Sequence, residues 1–308
     1  MQPRWNGDWL DRMYNARAAV PQHPWHLGRW ALASQDAREA HPCELDVAYG
    51  DDASERLDVF PADRPGGPAV VFIHGGYWRA LDKADHSFLA VPLRNAGACV
   101  FVPNYALCPA VTIPDIVLQM VRALAWVHRH GARWGADARR LVVIGHSAGA
   151  HLAAMMLACR WTAWDATLPA QLVRGALGIS GLYDLEPLMH APFIRDTLRL
   201  TPDDVARASP AWLPPPRHGR MLAVVGAEES AEFQRQTTTL RRVWGERRVP
   251  VCETLPDCNH FSVLEQLSLP GTRLHQLALA LTFGARVPRG QPAVGAPRVT
   301  STGAHRRC

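Results

Sequence analysis

The chain has 308 residues, 48 % hydrophobic and 20 % charged, enough for one large α/β domain or two small ones around a sizeable core. No apolar run approaches the ~20 residues of a membrane span, and the first eight residues carry no apolar signal core, so a cytoplasmic protein is expected. The formal charge of +5 does not signal nucleic acid: of the 33 basic residues, Arg286, Arg289, Arg298, Arg306 and Arg307 lie in residues 285–308, which hold no acid, and the other 28 face 28 acidic residues.

In chain order, residues 1–40 are rich in Trp, Arg and Pro and read as a helical arm packed on the domain that follows. From 41 to 284, strand-like runs alternate with helical ones. The strand candidates are Cys43–Tyr49, Arg56–Phe60, Ala69–Ile73, Ala98–Pro103, Leu141–Ile144, Val173–Ile179, Met221–Val225 and Val249–Leu255. The middle runs are continuously apolar, as parallel strands covered on both faces must be. Helices are expected over Asp82–Ala96, Pro114–His130, Ala148–Cys159, Ser230–Trp244 and Ser262–Phe283, with Pro114 suited to a first turn and Gly131 to a helix end. This alternation predicts an α/β fold, an eight-stranded, mostly parallel sheet with helices on both faces. The irregular residues 181–220, with Pro214-Pro215-Pro216, predict a small helical cap, and residues 285–308 a disordered basic tail. The seven Cys (43, 99, 108, 159, 252, 258, 308) form no C-x-x-C pair and are expected to be reduced.

The chemistry concentrates at Gly145-His146-Ser147-Ala148-Gly149, between the apolar run Leu141–Ile144 and a helix-forming stretch. Random composition yields a bare G-x-S-x-G in roughly one chain in twenty, but strand, sharp turn with serine, then helix is the arrangement of a nucleophile elbow. A serine needs a base, an orienting acid and donors for the oxyanion. The donors are expected from Gly75 and Gly76, in His74-Gly75-Gly76-Tyr77-Trp78 after the third strand, and from Ala148; His74 itself is read as structural. The base is His260, directly after the last strand and before the last helix; His146 and His151 flank the nucleophile but point away from its oxygen. The acid follows the seventh strand, where Glu228 and Glu229 stand and no Asp occurs, with Asp257 and Asp184 as fallbacks. Cys258 as a nucleophile served by His260 carries little weight, because residues two apart seldom face each other productively.

Together, His74-Gly75-Gly76-Tyr77-Trp78 and the elbow pentapeptide resemble the arylformamidase (kynurenine formamidase) branch of the hormone-sensitive-lipase-like α/β hydrolases. Tyr14-Asn15-Ala16-Arg17, Gly181-Leu182-Tyr183-Asp184-Leu185 and Ser230-Ala231-Glu232-Phe233-Gln234-Arg235-Gln236 extend the similarity over about residues 10–283. The family has Asp immediately before that Ser, so the resemblance selects Glu229 as the acid, one methylene longer than usual. It implies an α/β-hydrolase fold and an acyl-enzyme hydrolysis of N-formyl-kynurenine or of simple aryl or short acyl esters. The catalytic residues would be Ser147, Glu229 and His260, and Tyr77, Trp78, Tyr183 and Phe261 would offer an aromatic substrate pocket. No metal or cofactor is expected. The expected partner is a small ester or formamide, not nucleic acid or a membrane, with a homodimer left open. A broad-range carboxylesterase is the first alternative, and a non-catalytic binding protein on a hydrolase scaffold the second.

Overall fold

A computed structural model describes residues 5–285; the tail expected at 285–308 lies, but for Ala285, outside the described residues. Eight strands form one sheet: β1 Glu44–Ala48, β2 Arg56–Phe60, β3 Gly67–Ile73, β4 Cys99–Pro103, β5 Ala136–His146, β6 Val173–Ile179, β7 Met221–Gly226 and β8 Val251–Leu255. Their order is β1-β2-β4-β3-β5-β6-β7-β8. The first two pairings are antiparallel and the rest parallel. Every residue of β4 and β7 is buried, which requires cover on both faces. The long helix Ile113–His130 starts where Thr112 and Asp115 exchange side-chain and backbone hydrogen bonds, with Pro114 in its first turn. Gly131 ends it in right-handed conformation (φ −60°), and the left-handed turn falls at Gly135.

Two expected helices are broken. Asp82–Ala96 resolves into 3₁₀ turns at Lys83–Asp85 and Ser87–Leu89 and a short helix Ala90–Asn95. Here the His86 ring donates from Nδ1 to the Asp82 carbonyl, which a continuous helix would engage, and Arg38 of the arm grips the Ala84 carbonyl (2.5 Å) and Ser87 Oγ (3.0 Å). Ser262–Phe283 splits into Ser262–Glu265 and Arg273–Phe283. Pro270 disfavours helix before it, Gly271 turns at φ +85°, and Thr272 caps the second helix.

The first forty residues contain the helices Gly7–Tyr14, Ala16–Ala19 and His23–Ala40. They are tied to the body near the carboxyl ends of the strands. Tyr14 Oη donates to Glu232 (2.6 Å), Ser230 Oγ to the Met13 carbonyl (2.5 Å), and His26 Nδ1 pairs with Glu265 (2.8 Å). Between β6 and β7, the chain makes only short helical turns at Glu186–Met189, Arg195–Leu198, Pro202–Ala208 and Pro210–Trp212.

Candidate active site

β5 delivers the chain to Ser147, whose backbone sits at φ 56°, ψ −117°, a conformation few non-glycine residues adopt. Its N–H donates to the Ile179 carbonyl at the end of β6 (2.8 Å), and its own carbonyl receives the N–H of Ala150 and His151, starting the helix Ala148–Ala158. The two glycines of the pentapeptide are sterically required. A Cβ on Gly145 would stand 2.1 Å from the Gly149 oxygen, and one on Gly149 would stand 2.0 Å from the Ile73 oxygen. The turn can therefore be this sharp only with glycine at both positions, and the serine is held at the sheet's carboxyl edge.

The glycine loop after β3 meets this turn. A Cβ on Gly75 would lie 3.1 Å from the Ser147 Cβ, so the loop backbone runs directly against the serine. Among the described residues, the N–H groups of Gly75, Gly76 and Ala148 donate to no protein acceptor. Unpaired amides are uncommon inside proteins and form a ready receptor for negative charge. The loop's path is set by Gly76 at φ +102° and by Tyr77 and Trp78, both also at positive φ. His74 is wholly buried beneath it, its ring 4.4 Å from that of Tyr105 and reaching the Gly75 carbonyl (2.8 Å) and Asn104 Oδ1 (3.1 Å). Burial holds its pKa below the usual histidine value, so the neutral ring is favoured. A buried ring bonded to the loop's own backbone fits the structural role expected of it.

On the other side, β7 ends at Gly226, and three residues later Glu229 turns inward. One carboxylate oxygen, Oε2, lies 2.6 Å from His260 Nδ1. The other, Oε1, accepts from Ser180 Oγ (2.5 Å) and from the Gly226 N–H (2.8 Å). The glutamate side chain is 1 % exposed and the histidine side chain 8 %. The extra methylene of glutamate is thus accommodated, with both oxygens bonded. A carboxylate so bound orients the imidazole and stabilises its protonated form. The ring is further fixed against Phe233 (4.6 Å) and His146 (4.8 Å), and His146 Nε2 donates to the His260 carbonyl (2.9 Å).

Of the other carboxylates weighed from the sequence, none touches this ring. Glu228 and Asp257 are exposed. Asp184 accepts from the Glu186 N–H (3.3 Å) and Trp212 (3.2 Å) and pairs with Arg235 (3.4 Å). Cys258 is a poor nucleophile. Burial first, then Asp257, Glu228 and Glu229, push its thiol up to about 11, so little thiolate exists at neutral pH.

Ser147 and His260 line one cavity of about 40 Å³, with Gly76, Tyr77 and Phe261. Two aromatics expected on the pocket are elsewhere. Trp78 is fully buried with its ring edge-on to His151 at 5.0 Å, and Tyr183 is fully buried where a Cβ on Gly178 or Gly181 would stand 2.3 Å from its hydroxyl. Both are core residues, since their rings fill space under the loop and the sheet rather than facing the cavity. Tyr77 does reach it, and its hydroxyl donates to the Tyr14 carbonyl of the arm. Sequence reasoning did not find Ser180, nor the arm residues Asn15, Ala16 and Arg17, which complete the cavity wall. Nor did it find Arg79 or Phe193. The sequence marks the Tyr14–Arg17 segment only through its likeness to a family's arm. Among the described residues, no group of three or more His, Cys, Asp or Glu side chains could hold a metal, and no helix is long and apolar enough to cross a membrane.

Comparison with known proteins agrees with this architecture. Residues 70–240 match a family model described as the alpha/beta hydrolase fold. A kynurenine formamidase of Danio rerio is 32 % identical over 79 % of this chain and 83 % of its own length. One from Salmo salar is 31 % identical over 83 % and 87 %. A solved structure from Silicibacter sp., provisionally named a thioesterase, superposes with a TM-score of 0.75 at 29 % identity, covering 85 % of this chain and 95 % of that one. The chain belongs to the α/β hydrolases, in the branch that contains the kynurenine formamidases, and is a hydrolase of the serine type.

Proposed function

We propose that Ser147, His260 and Glu229 form a catalytic triad and that the enzyme hydrolyses N-formyl-kynurenine to kynurenine and formate. The observation that carries the triad is the 2.6 Å contact of Glu229 with His260 Nδ1, on a ring that shares its cavity with a serine in elbow conformation. His260 takes the proton from Ser147 as its oxygen bonds to the formyl carbon. Glu229 stabilises the imidazolium, and the N–H groups of Gly75, Gly76 and Ala148 receive the oxyanion, each donor worth about 3 kcal/mol of barrier. The C–N bond then breaks, His260 returns the proton to the leaving arylamine, and a formyl-serine remains. Water adds by the same route and releases formate.

The substrate reading rests on the formamidase relatives. Cytoplasmic action is proposed with it, supported by six free cysteines among the described residues. The test compares turnover of N-formyl-kynurenine with that of short p-nitrophenyl esters. Cleavage of the formamide supports the proposal. Ester cleavage without formamide cleavage gives the carboxylesterase reading, for which the thioesterase-named structure speaks. A fluorophosphonate probe that fails to label Ser147 in the folded protein would sink the proposed nucleophile.

A further inference from the structure

The cavity that holds Ser147 carries two arginines, Arg17 and Arg79, and no aspartate or glutamate in its lining. Of the half-buried arginines elsewhere, Arg122 pairs with Glu55 (2.6 Å) and Arg235 with Glu232 (2.9 Å) and Asp184 (3.4 Å), while Arg38 and Arg56 are held by backbone carbonyls and, for Arg38, the Ser87 hydroxyl. Among the described residues, neither of the two at the cavity, the half-buried Arg79 and the exposed Arg17, pairs with a carboxylate. Arg79 donates to the Phe193 carbonyl (3.3 Å), and its guanidinium carbon stands 5.9 Å from the centre of the Phe193 ring. Arg17 rides on the short helix Ala16–Ala19, whose start is fixed by Asn15 accepting from the Ala18 N–H (3.2 Å). The residues just before it are tied to the body, Met13 by Ser230 and Tyr14 by Tyr77. The two guanidinium groups lie within each other's field. Burial, then Arg17, hold the Arg79 pKa below its ordinary value.

Two like charges beside one cavity, with no acid in its lining, give that cavity a positive field. An anion entering there removes the repulsion and offers each planar fork a charge-assisted hydrogen bond. We infer that Arg17 and Arg79 form a carboxylate-binding subsite, so that the enzyme selects aryl formamides or esters whose leaving-group portion bears a carboxylate. The inference rests on the hydrolase reading of Ser147 and deepens its substrate assignment, since N-formyl-kynurenine carries such a group. It also gives the arm a purpose, for Arg17 brings to the site a charge that no part of the sheet supplies.

The test uses the full-length enzyme and two acetate esters, of 4-hydroxybenzoate and of 4-hydroxybenzamide, each rate divided by its uncatalysed rate. The wild type is expected to favour the benzoate ester at least about tenfold in kcat/KM at low salt, less so in 0.5 M KCl. Arg17→Gln and Arg79→Gln should each lower that ratio about tenfold, mainly through KM of the anionic ester, with Lys at either position retaining part of it. A wild-type ratio near one, or a ratio unchanged in the double Gln variant, overturns the inference. Should the double variant fail to fold, competitive inhibition of the wild type by benzoate and by benzamide decides: tighter, salt-sensitive inhibition by benzoate supports the subsite, and equal constants overturn it. Failure to cleave N-formyl-kynurenine alongside a clear benzoate preference would remove the formyl-kynurenine reading and leave the subsite standing.

Discussion

On the His260 side of the cavity, both oxygens of Glu229 and the imidazole nitrogen facing them are bonded within the protein; on the Arg17–Arg79 side, the charges meet, among the described residues, only a backbone carbonyl and a ring. Glu229 shows the first pattern most fully. It is deeply buried, and a carboxylate there must be compensated, so Ser180, Gly226 and His260 surround it. The result is a preorganised base whose geometry does not depend on a ligand. The arginine side is shifted toward solvent, with Arg17 exposed, and tolerates unpaired charge because water screens it. Groups that must be in place before the substrate arrives are bonded internally; groups that recognise it are left open. Substitutions on the first wall should therefore cost rate for every substrate, whereas substitutions on the second should change which substrate is chosen.

The largest effect belongs to Ser147→Ala, expected to lower kcat by a factor on the order of 10⁶, measured with ester and formamide alike. Glu229→Gln keeps the shape but cannot stabilise the imidazolium, and by analogy with the corresponding change in a serine protease it should cost about 10⁴ in kcat. Both losses should be the same for an anionic and a neutral ester. A Glu229→Gln enzyme of near-normal rate would remove Glu229 from the triad and end the contrast between the walls.

Acid should also destabilise the fold as a whole. Four histidines around the site are wholly buried and held neutral. Burial brings His86 down to about 3 and His151 to about 4, and lowers His74 and His146 as well. Each binds a proton more readily in the unfolded chain, near 6.5, so the unfolded state gains as pH falls below that value, down toward 4 and 3. For His86 and His151 the loss between pH 7 and pH 5 is about 2 kcal/mol each. Urea midpoints measured at pH 7, 6 and 5 should fall steadily; a flat series would mean that these rings are protonated in the fold or compensated elsewhere.

Sequence patterns showed the parts of the site that are local in the chain. The glycines at 145 and 149 declare the elbow because the clash they avoid is with their own turn and the adjacent loop. The strands were legible because a parallel strand covered on both faces is a plain apolar run. The residues alone narrow the acid after β7 to Glu228 or Glu229, and the family resemblance was needed to choose Glu229, since burial of one and exposure of the other is decided by packing. Ser180 was invisible for the same reason. It stands beside Glu229, 49 residues later in sequence, because β6 pairs with β7 in the register Ile179↔Val224. The helix expected over Asp82–Ala96 is broken where Arg38, 46 residues before Ala84, takes the Ala84 carbonyl and the His86 ring takes that of Asp82. Arg17 acquires its meaning only once the arm is laid across the glycine loop.

The smallest expected effect gives the sharpest view of the bonded wall. Ser180 donates to Glu229 Oε1 from a residue that is itself at φ +54°. Removing a hydrogen bond to a buried charged group costs about 2 kcal/mol, so Ser180→Ala should lower kcat about 30-fold. Backbone strain offers a competing cause, because alanine at that φ is as uncomfortable as serine and has no hydroxyl bond to hold it. Ser180→Gly separates the two. Glycine adopts positive φ freely but also lacks the hydroxyl. If the hydroxyl matters, both variants fall equally in kcat with every substrate, and the ratio of anionic to neutral ester stays at the wild-type value. If strain matters, glycine restores the rate and alanine does not. A change in the ester ratio in either variant would show that the two walls are coupled, and that orienting His260 and choosing the substrate are not separable functions of this cavity.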